Sequence, residues 1–150
     1  MKPDNLLISS HPRIKLADFG NVHFLPDNES VIRGLEGTVS YMSPEMRMGR
    51  FYNTKTDIWS LGMTMLNILF YNDTTFPNFE VAGPWAARKF ADEQHYRSIE
   101  LRNFMLSLFL KSSDRPSAKQ LLNVRLLLVF ELKIGSIRTE SRQICIQGII

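Results

Sequence analysis

Apolar and polar positions alternate unevenly along the chain, and the pattern predicts a small hairpin followed by helices. Leu6-Leu7-Ile8 and Ile14-Lys15-Leu16-Ala17 are short apolar runs separated by the turn-prone Ser9-Ser10-His11-Pro12-Arg13. Folded as a hairpin centred between His11 and Pro12, they set Asn5 opposite Asp18. Facing residues of an antiparallel pair lie about 4.5–5.5 Å apart at Cα. An amide oxygen and a carboxylate oxygen at that separation can share one hard cation. Such an ion takes oxygen ligands and, if magnesium, leaves positions for phosphates and water.

From Asn21 to Met42 no period is sustained, and Pro26, Asp27, Asn28, Gly34 and Gly37 mark an irregular segment. Loops of that length in compact domains are usually functional or disordered. Thr56 to Phe70 is the strongest helix pattern, with Thr56 or Asp57 as its expected cap. Ile58, Trp59, Leu61, Met63, Met65, Leu66, Ile68, Leu69 and Phe70 make it apolar on nearly every side, which predicts burial. Gly62 inside it permits close packing, at a helix-propensity cost of about 1 kcal/mol.

Phe76 to Glu93 is less periodic, punctuated by Pro77, Gly83 and Pro84. Leu101, Phe104, Met105, Leu108 and Phe109 recur at three- and four-residue steps, predicting an amphipathic helix that stops at Ser112-Ser113-Asp114-Arg115-Pro116. Ser117 and Gln120 form a capping-box pattern for a further helix through Leu122. Beyond Asn123 the character changes. Arg125 to Leu132 is aliphatic, and Arg142 to Ile150 is isoleucine-rich, with strand character at Ile144-Cys145-Ile146-Gln147.

Composition narrows the classes. The chain has 150 residues and a formal charge of +3, with basic residues scattered rather than grouped, so no nucleic-acid partner is expected. The lone cysteine excludes an intrachain disulfide, and His11, His23 and His95 are too dispersed for a zinc site. The longest aliphatic run, Leu126 to Phe130, is far short of the ~20 residues that span a bilayer, so no membrane partner is expected. With no secretory pattern behind Met1, the expected location is soluble, cytoplasmic or nuclear.

Lys2-Pro3-Asp4-Asn5, Asp18-Phe19-Gly20, Gly37-Thr38, Tyr41-Met42-Ser43-Pro44-Glu45 and Asp57 to Gly62 occur in the order and spacing of the serine/threonine protein kinase family, which the chain resembles over about Lys2 to Leu122. The resemblance implies a mainly α fold. It is a kinase-like C-terminal lobe with a short β-hairpin at its N-terminal end and a buried central helix, and the N-terminal lobe is expected to be absent. Residues 1–123 would be a partial kinase domain with its activation segment at about 18–45, and 124–150 a divergent tail. For that tail a protein-specific extension, a docking strand and translated non-coding sequence all fit, and the irregular ends favour the last.

The activity implied is transfer of the ATP γ-phosphoryl group to a protein serine or threonine, with ATP and magnesium as cofactors and a protein substrate as partner. By resemblance Asp18 and Asn5 would hold magnesium, Lys2 would meet the γ-phosphate, and Leu7 would line the floor beneath adenine. Ser30 is a candidate phosphosite, Thr38 would support the substrate residue, and Ser43-Pro44-Glu45 match the A-P-E element. Glu45 would pair with Arg115, and Asp57, deprived of its family partner, would be a buried unmet acceptor. The catalytic-loop aspartate falls immediately before Met1, so the isolated chain is expected to be inactive and to self-associate through its exposed lobe-facing surface. Three readings stay open: the lower lobe of an enzyme, a pseudokinase or decoy that binds partners, and a non-functional product.

Overall fold

A computed structural model of the chain describes residues 1–9, 13–27, 30–70, 81–91 and 99–122. Residues 10–12, residues 76–80 and 92–93 of the Phe76–Glu93 region, and the tail from Asn123 lie outside the described residues. About half of what is described is helical, with one two-stranded sheet. Strands β1 (Leu6–Ile8) and β2 (Ile14–Leu16) precede helices α1 (Pro44–Arg47), α2 (Lys55–Leu69), α3 (Ala82–Ala91), α4 (Ile99–Ser107) and α5 (Ala118–Leu122). Single 3-10 turns stand at Pro3–Asn5 and Val39–Tyr41.

The hairpin forms, but one residue out of the expected register. β1 and β2 pair antiparallel as Leu6↔Leu16, Leu7↔Lys15 and Ile8↔Ile14. The Ala17 N–H donates to the Asn5 carbonyl at 2.8 Å, so Asn5 faces Ala17 and not Asp18. β2 ends there because Asp18 adopts a left-handed φ of 61°, which an aspartate tolerates better than most side chains. The hairpin stands off the core, with Ile8, Ile14 and Leu16 exposed.

α2 organises the rest. It begins one residue earlier than expected. Thr54 takes the N-cap position without a side-chain bond, and the Asn53 side chain accepts from the Lys55 N–H at 3.1 Å. Thr56 and Asp57 therefore lie inside the first turn rather than capping it. Burial on α2 is extensive but not uniformly apolar. Thr56, Ser60 and Thr64, four residues apart on one face, are all buried. Each is satisfied: Ser60 Oγ donates to the Tyr41 carbonyl at 2.7 Å, Thr64 Oγ1 donates to the Ser60 carbonyl at 2.8 Å, and the Thr56 hydroxyl shares a hydrogen bond with that of Ser43. Ile68 and Leu69, at the far end, are exposed.

On its apolar sides α2 packs Ile58 and Leu66 against Trp85 and Ala86 of α3 and Leu101 and Met105 of α4. Edge-on aromatic pairs lock the layer, Phe70 with Trp85 at 5.0 Å and Trp59 with Phe109 at 5.2 Å between centroids. Such pairs contribute about 0.5–1.5 kcal/mol beyond area burial. Gly62 explains the close approach of Phe109. A Cβ there would lie 2.8 Å from Phe109 Cζ and 3.1 Å from Leu108 Cβ.

Within the stretch that they punctuate, Gly83 and Pro84 lie in the first turn of α3. A proline in the first turn lacks only an N–H that has no intrahelical partner there, and the Trp85 N–H already reaches the Val81 carbonyl at 2.7 Å. α5 opens on the expected capping box. The Ser117 N–H donates to Gln120 Oε1 at 2.8 Å, and the Gln120 N–H donates to Ser117 Oγ at 3.3 Å.

Candidate active site

Although the strand register misses the Asn5–Asp18 alignment, the side chains still meet. The Pro3–Asn5 turn ends with the Asn5 N–H on the Lys2 carbonyl at 3.1 Å, projecting Asn5 from the foot of β1. The left-handed backbone at Asp18 turns its carboxylate back across the hairpin. Asn5 Nδ2 donates to Asp18 Oδ2 at 3.3 Å, and the Gly20 N–H donates to Asp18 Oδ1 at 3.3 Å. Lys2 Nζ lies 4.0 Å from Asp4 Oδ2, and Leu7 is half-buried on β1. A carboxylate and an amide offering hard oxygen donors beside an ammonium suit a phosphate-bound cation. Among the described residues no cluster of three His, Cys, Asp or Glu side chains could hold a metal alone.

The segment that follows is anchored through its second half. The Asp27 carboxylate accepts from both the Ser30 N–H and the Ser30 hydroxyl, at 2.6 and 2.7 Å. Thr38 is exposed and opens the Val39–Tyr41 turn without a side-chain capping bond. Burial, then the negative charge of Asp4, raises the Tyr41 phenol above its usual pKa. Ser43 caps α1, accepting from the Met46 N–H at 3.4 Å, with Pro44 in the first turn where it is favoured.

Glu45 and Arg115, seventy positions apart, form a two-pronged junction. Arg115 is 1% exposed and uses every N–H it has. Nη1 donates to Glu45 Oε1 at 2.7 Å and to the Lys55 carbonyl at 2.9 Å, and Nη2 donates to Glu45 Oε2 at 3.3 Å. The Leu110 carbonyl accepts from Nε at 3.1 Å and from Nη2 at 3.0 Å, and the guanidinium sits 5.1 Å from the Trp59 ring centroid. Burial pushes the Glu45 carboxyl upward. The Arg115 hydrogen bonds and charge, with help from Glu45's own backbone and Ser43, outweigh that and hold it below the ordinary value.

Asp57 requires a correction. Expected to be a buried unmet acceptor, it is exposed. Its carboxylate lies in the first turn of α2 on the side facing water, which solvates it and removes the anticipated penalty. The sequence reading also missed the Thr56–Ser60–Thr64 stripe and the Lys55 ammonium, which donates to the Ser112 and Ser113 carbonyls at 3.2 and 3.0 Å. The four-residue spacing of three hydroxyls was the available signal for the stripe.

The profile of the protein kinase domain family matches residues 1–127. The chain belongs to the serine/threonine protein kinase family. It is 32% identical over 149 residues to the human serine/threonine-protein kinase Nek2, covering 96% of this chain and 34% of that protein. The mouse serine/threonine-protein kinase Nek2 is 34% identical over 125 residues, covering 81% of this chain and 28% of the relative. Mitogen-activated protein kinase kinase 1 of Arabidopsis thaliana is 44% identical over 66 residues, 44% of this chain and 19% of its own length. The chain thus spans about a third or less of the length of these relatives. Among the described residues, no helix is long and apolar enough to cross a membrane.

Proposed function

We propose that the chain forms the C-terminal lobe of a kinase that transfers the ATP γ-phosphoryl group to protein serine or threonine hydroxyls, with 1–123 as the kinase portion. The observation that carries this reading is the 3.3 Å meeting of Asn5 and Asp18 across the hairpin. Kinase catalysis is mostly positioning and charge stabilisation. Asp18 and Asn5 are the residues to hold magnesium, and Lys2 is the cation for the γ-phosphate. Leu7 lies on β1, suited to the underside of adenine. When bound, magnesium neutralises charge on the phosphates. Thr38 and the Val39–Tyr41 turn, fastened to α2 through Ser60, offer a fixed bed for the substrate chain.

The 150 residues contain no His-Arg-Asp triplet and no glycine-rich G-x-G-x-x-G loop. As a 150-residue polypeptide the chain is therefore assigned nucleotide-directed metal binding without turnover. Phe19 and Phe24, exposed beside the apolar hairpin, also favour self-association of this polypeptide. The deciding experiment titrates manganese with ATP into isotope-labelled protein and follows the Asn5 side-chain amide by NMR. Selective broadening that Asp18→Ala abolishes is the expected result. An Asn5 amide untouched by the metal nucleotide overturns the reading.

A further inference from the structure

The segment before the Val39–Tyr41 turn and the segment after α1 are joined by one antiparallel bridge. Ile32 and Tyr52 exchange both backbone hydrogen bonds, each at 2.9 Å. Tyr52 is buried and Ile32 half-buried, so this pair faces inward. Side chains alternate across an extended pair. The flanking residues Val31, Arg33 and Phe51 therefore turn outward, and all three are exposed, Phe51 at 65%. α1 brings further residues to the same edge. It ends in a Schellman motif, with the Arg50 N–H on the Glu45 carbonyl and the Gly49 N–H on the Met46 carbonyl, both at 3.0 Å. Gly49 takes the left-handed position, with φ of 62°. Its carbonyl accepts from Arg33 Nε at 2.7 Å, which fastens Arg33 beside exposed Met48 and Arg50.

The outcome is two exposed guanidinium groups interleaved with three exposed apolar side chains. Among the described residues, no ion pair links Arg33 or Arg50 to a carboxylate. The nearby acids are committed elsewhere: Glu45 to Arg115, Glu36 to His23 at 3.0 Å, and Asp27 to Ser30. Burial, then the charges of Glu36 and Asp57, raises the Tyr52 phenol above its ordinary value.

We propose that Arg33, Arg50, Phe51, Val31 and Met48 form a docking surface for an acidic peptide segment in which carboxylates alternate with apolar side chains. Arginine pairs with carboxylates in fork geometry and is enriched, with aromatic residues, at recognition hot spots. The alternation of charge and apolar surface on the patch matches an extended acidic–apolar strand. None of these residues belongs to the Asn5–Asp18 site, so the surface stands independently of the nucleotide chemistry.

The test uses the full chain and a fluorescein-labelled ten-residue peptide of alternating Asp and Leu, read by anisotropy. Matched peptides with Asn or Lys in place of Asp, and a labelled uridine decamer, serve as comparisons. Tighter binding of the Asp peptide is expected, with Arg50→Glu weakening it at least tenfold and Phe51→Ser at least threefold. Arg33→Glu is expected to act like Arg50→Glu. Where circular dichroism shows that Arg33→Glu does not fold, Arg50→Glu decides, because its side chain makes no described hydrogen bond. Retained binding in Asp18→Ala separates this surface from the nucleotide site. Absence of binding, equal binding of the Asn peptide, indifference to Arg50→Glu, or preference for the uridine decamer each overturns the proposal.

Discussion

Arg115 grips Glu45 through both carboxylate oxygens, at 2.7 and 3.3 Å, and its other N–H groups end on the Leu110 and Lys55 carbonyls. One buried side chain thereby joins α1, the start of α2 and the turn after α4. Breaking a buried pair by removing one partner costs about 3–5 kcal/mol. Arg115→Ala is expected to lose that much in urea unfolding, since it leaves a carboxylate and two carbonyls without their donor. Arg115→Lys recovers only part, because an ammonium cannot reproduce the planar fork. Wild-type stability in Arg115→Ala would show that the junction is not structural.

The same pair sets an acid sensitivity. Folding holds the Glu45 carboxyl below its ordinary value, because the effect of burial is outweighed by Arg115's hydrogen bonds and charge. A carboxyl depressed by folding stabilises the native state at pH above its unfolded value and loses that contribution as pH falls through the folded one. Stability is expected to decline as pH drops below about 4.5. Glu45→Gln, less stable at neutral pH, is expected to give a flatter profile in that window. Parallel thermal melts of both proteins from pH 6 to pH 3 supply the comparison.

At Gly62 two effects oppose. Alanine gains about 1 kcal/mol of helix propensity, but its Cβ would fall within 3.1 Å of Leu108 Cβ and closer still to Phe109. Overpacking costs about 1–3 kcal/mol, and the crowding involves a side-chain root that cannot swing away. A net loss is expected for Gly62→Ala in chemical denaturation, partly recovered in the Gly62→Ala/Phe109→Leu double variant. A stabilised single variant would refute this account of the packing.

Gly49 ends α1 in a left-handed conformation with open space around the position of a Cβ. Gly49→Ala is therefore expected to cost about 1–2 kcal/mol through backbone strain alone, and Gly49→Asn less. Thermal denaturation of the pair tests the order.

With labelled ATP, magnesium and a generic basic protein substrate, the 150-residue polypeptide is expected to transfer no phosphate above background. Turnover that Asp18→Ala abolishes would show that the parts assigned to other segments of a kinase are dispensable.

Local chemistry was well marked in the chain. The Ser117–Gln120 box, the α2 pattern and the helix around Leu101 and Met105 depend on neighbours within four residues, and those relations survive in any fold that keeps the helix. The hairpin pattern likewise marked Asn5 and Asp18 as a pair, and the family resemblance implied the pairing of Glu45 with Arg115. The slip of the hairpin register was not legible, because apolar runs of three or four residues pair almost equally well one position apart. Only the left-handed turn at Asp18 restores its contact with Asn5.

The sequence by itself determined the family, the helical periods and the capping devices, since each is written in residue types at short fixed intervals. Tertiary structure decided which polar groups found partners. It solvated Asp57, buried Thr56, Ser60 and Thr64 against satisfied acceptors, surrounded Arg115 with carbonyls, and turned Arg33 outward beside Phe51. Those outcomes depend on which surfaces meet after the chain closes on itself, and a hydroxyl or guanidinium carries no sign of that in its place along the sequence.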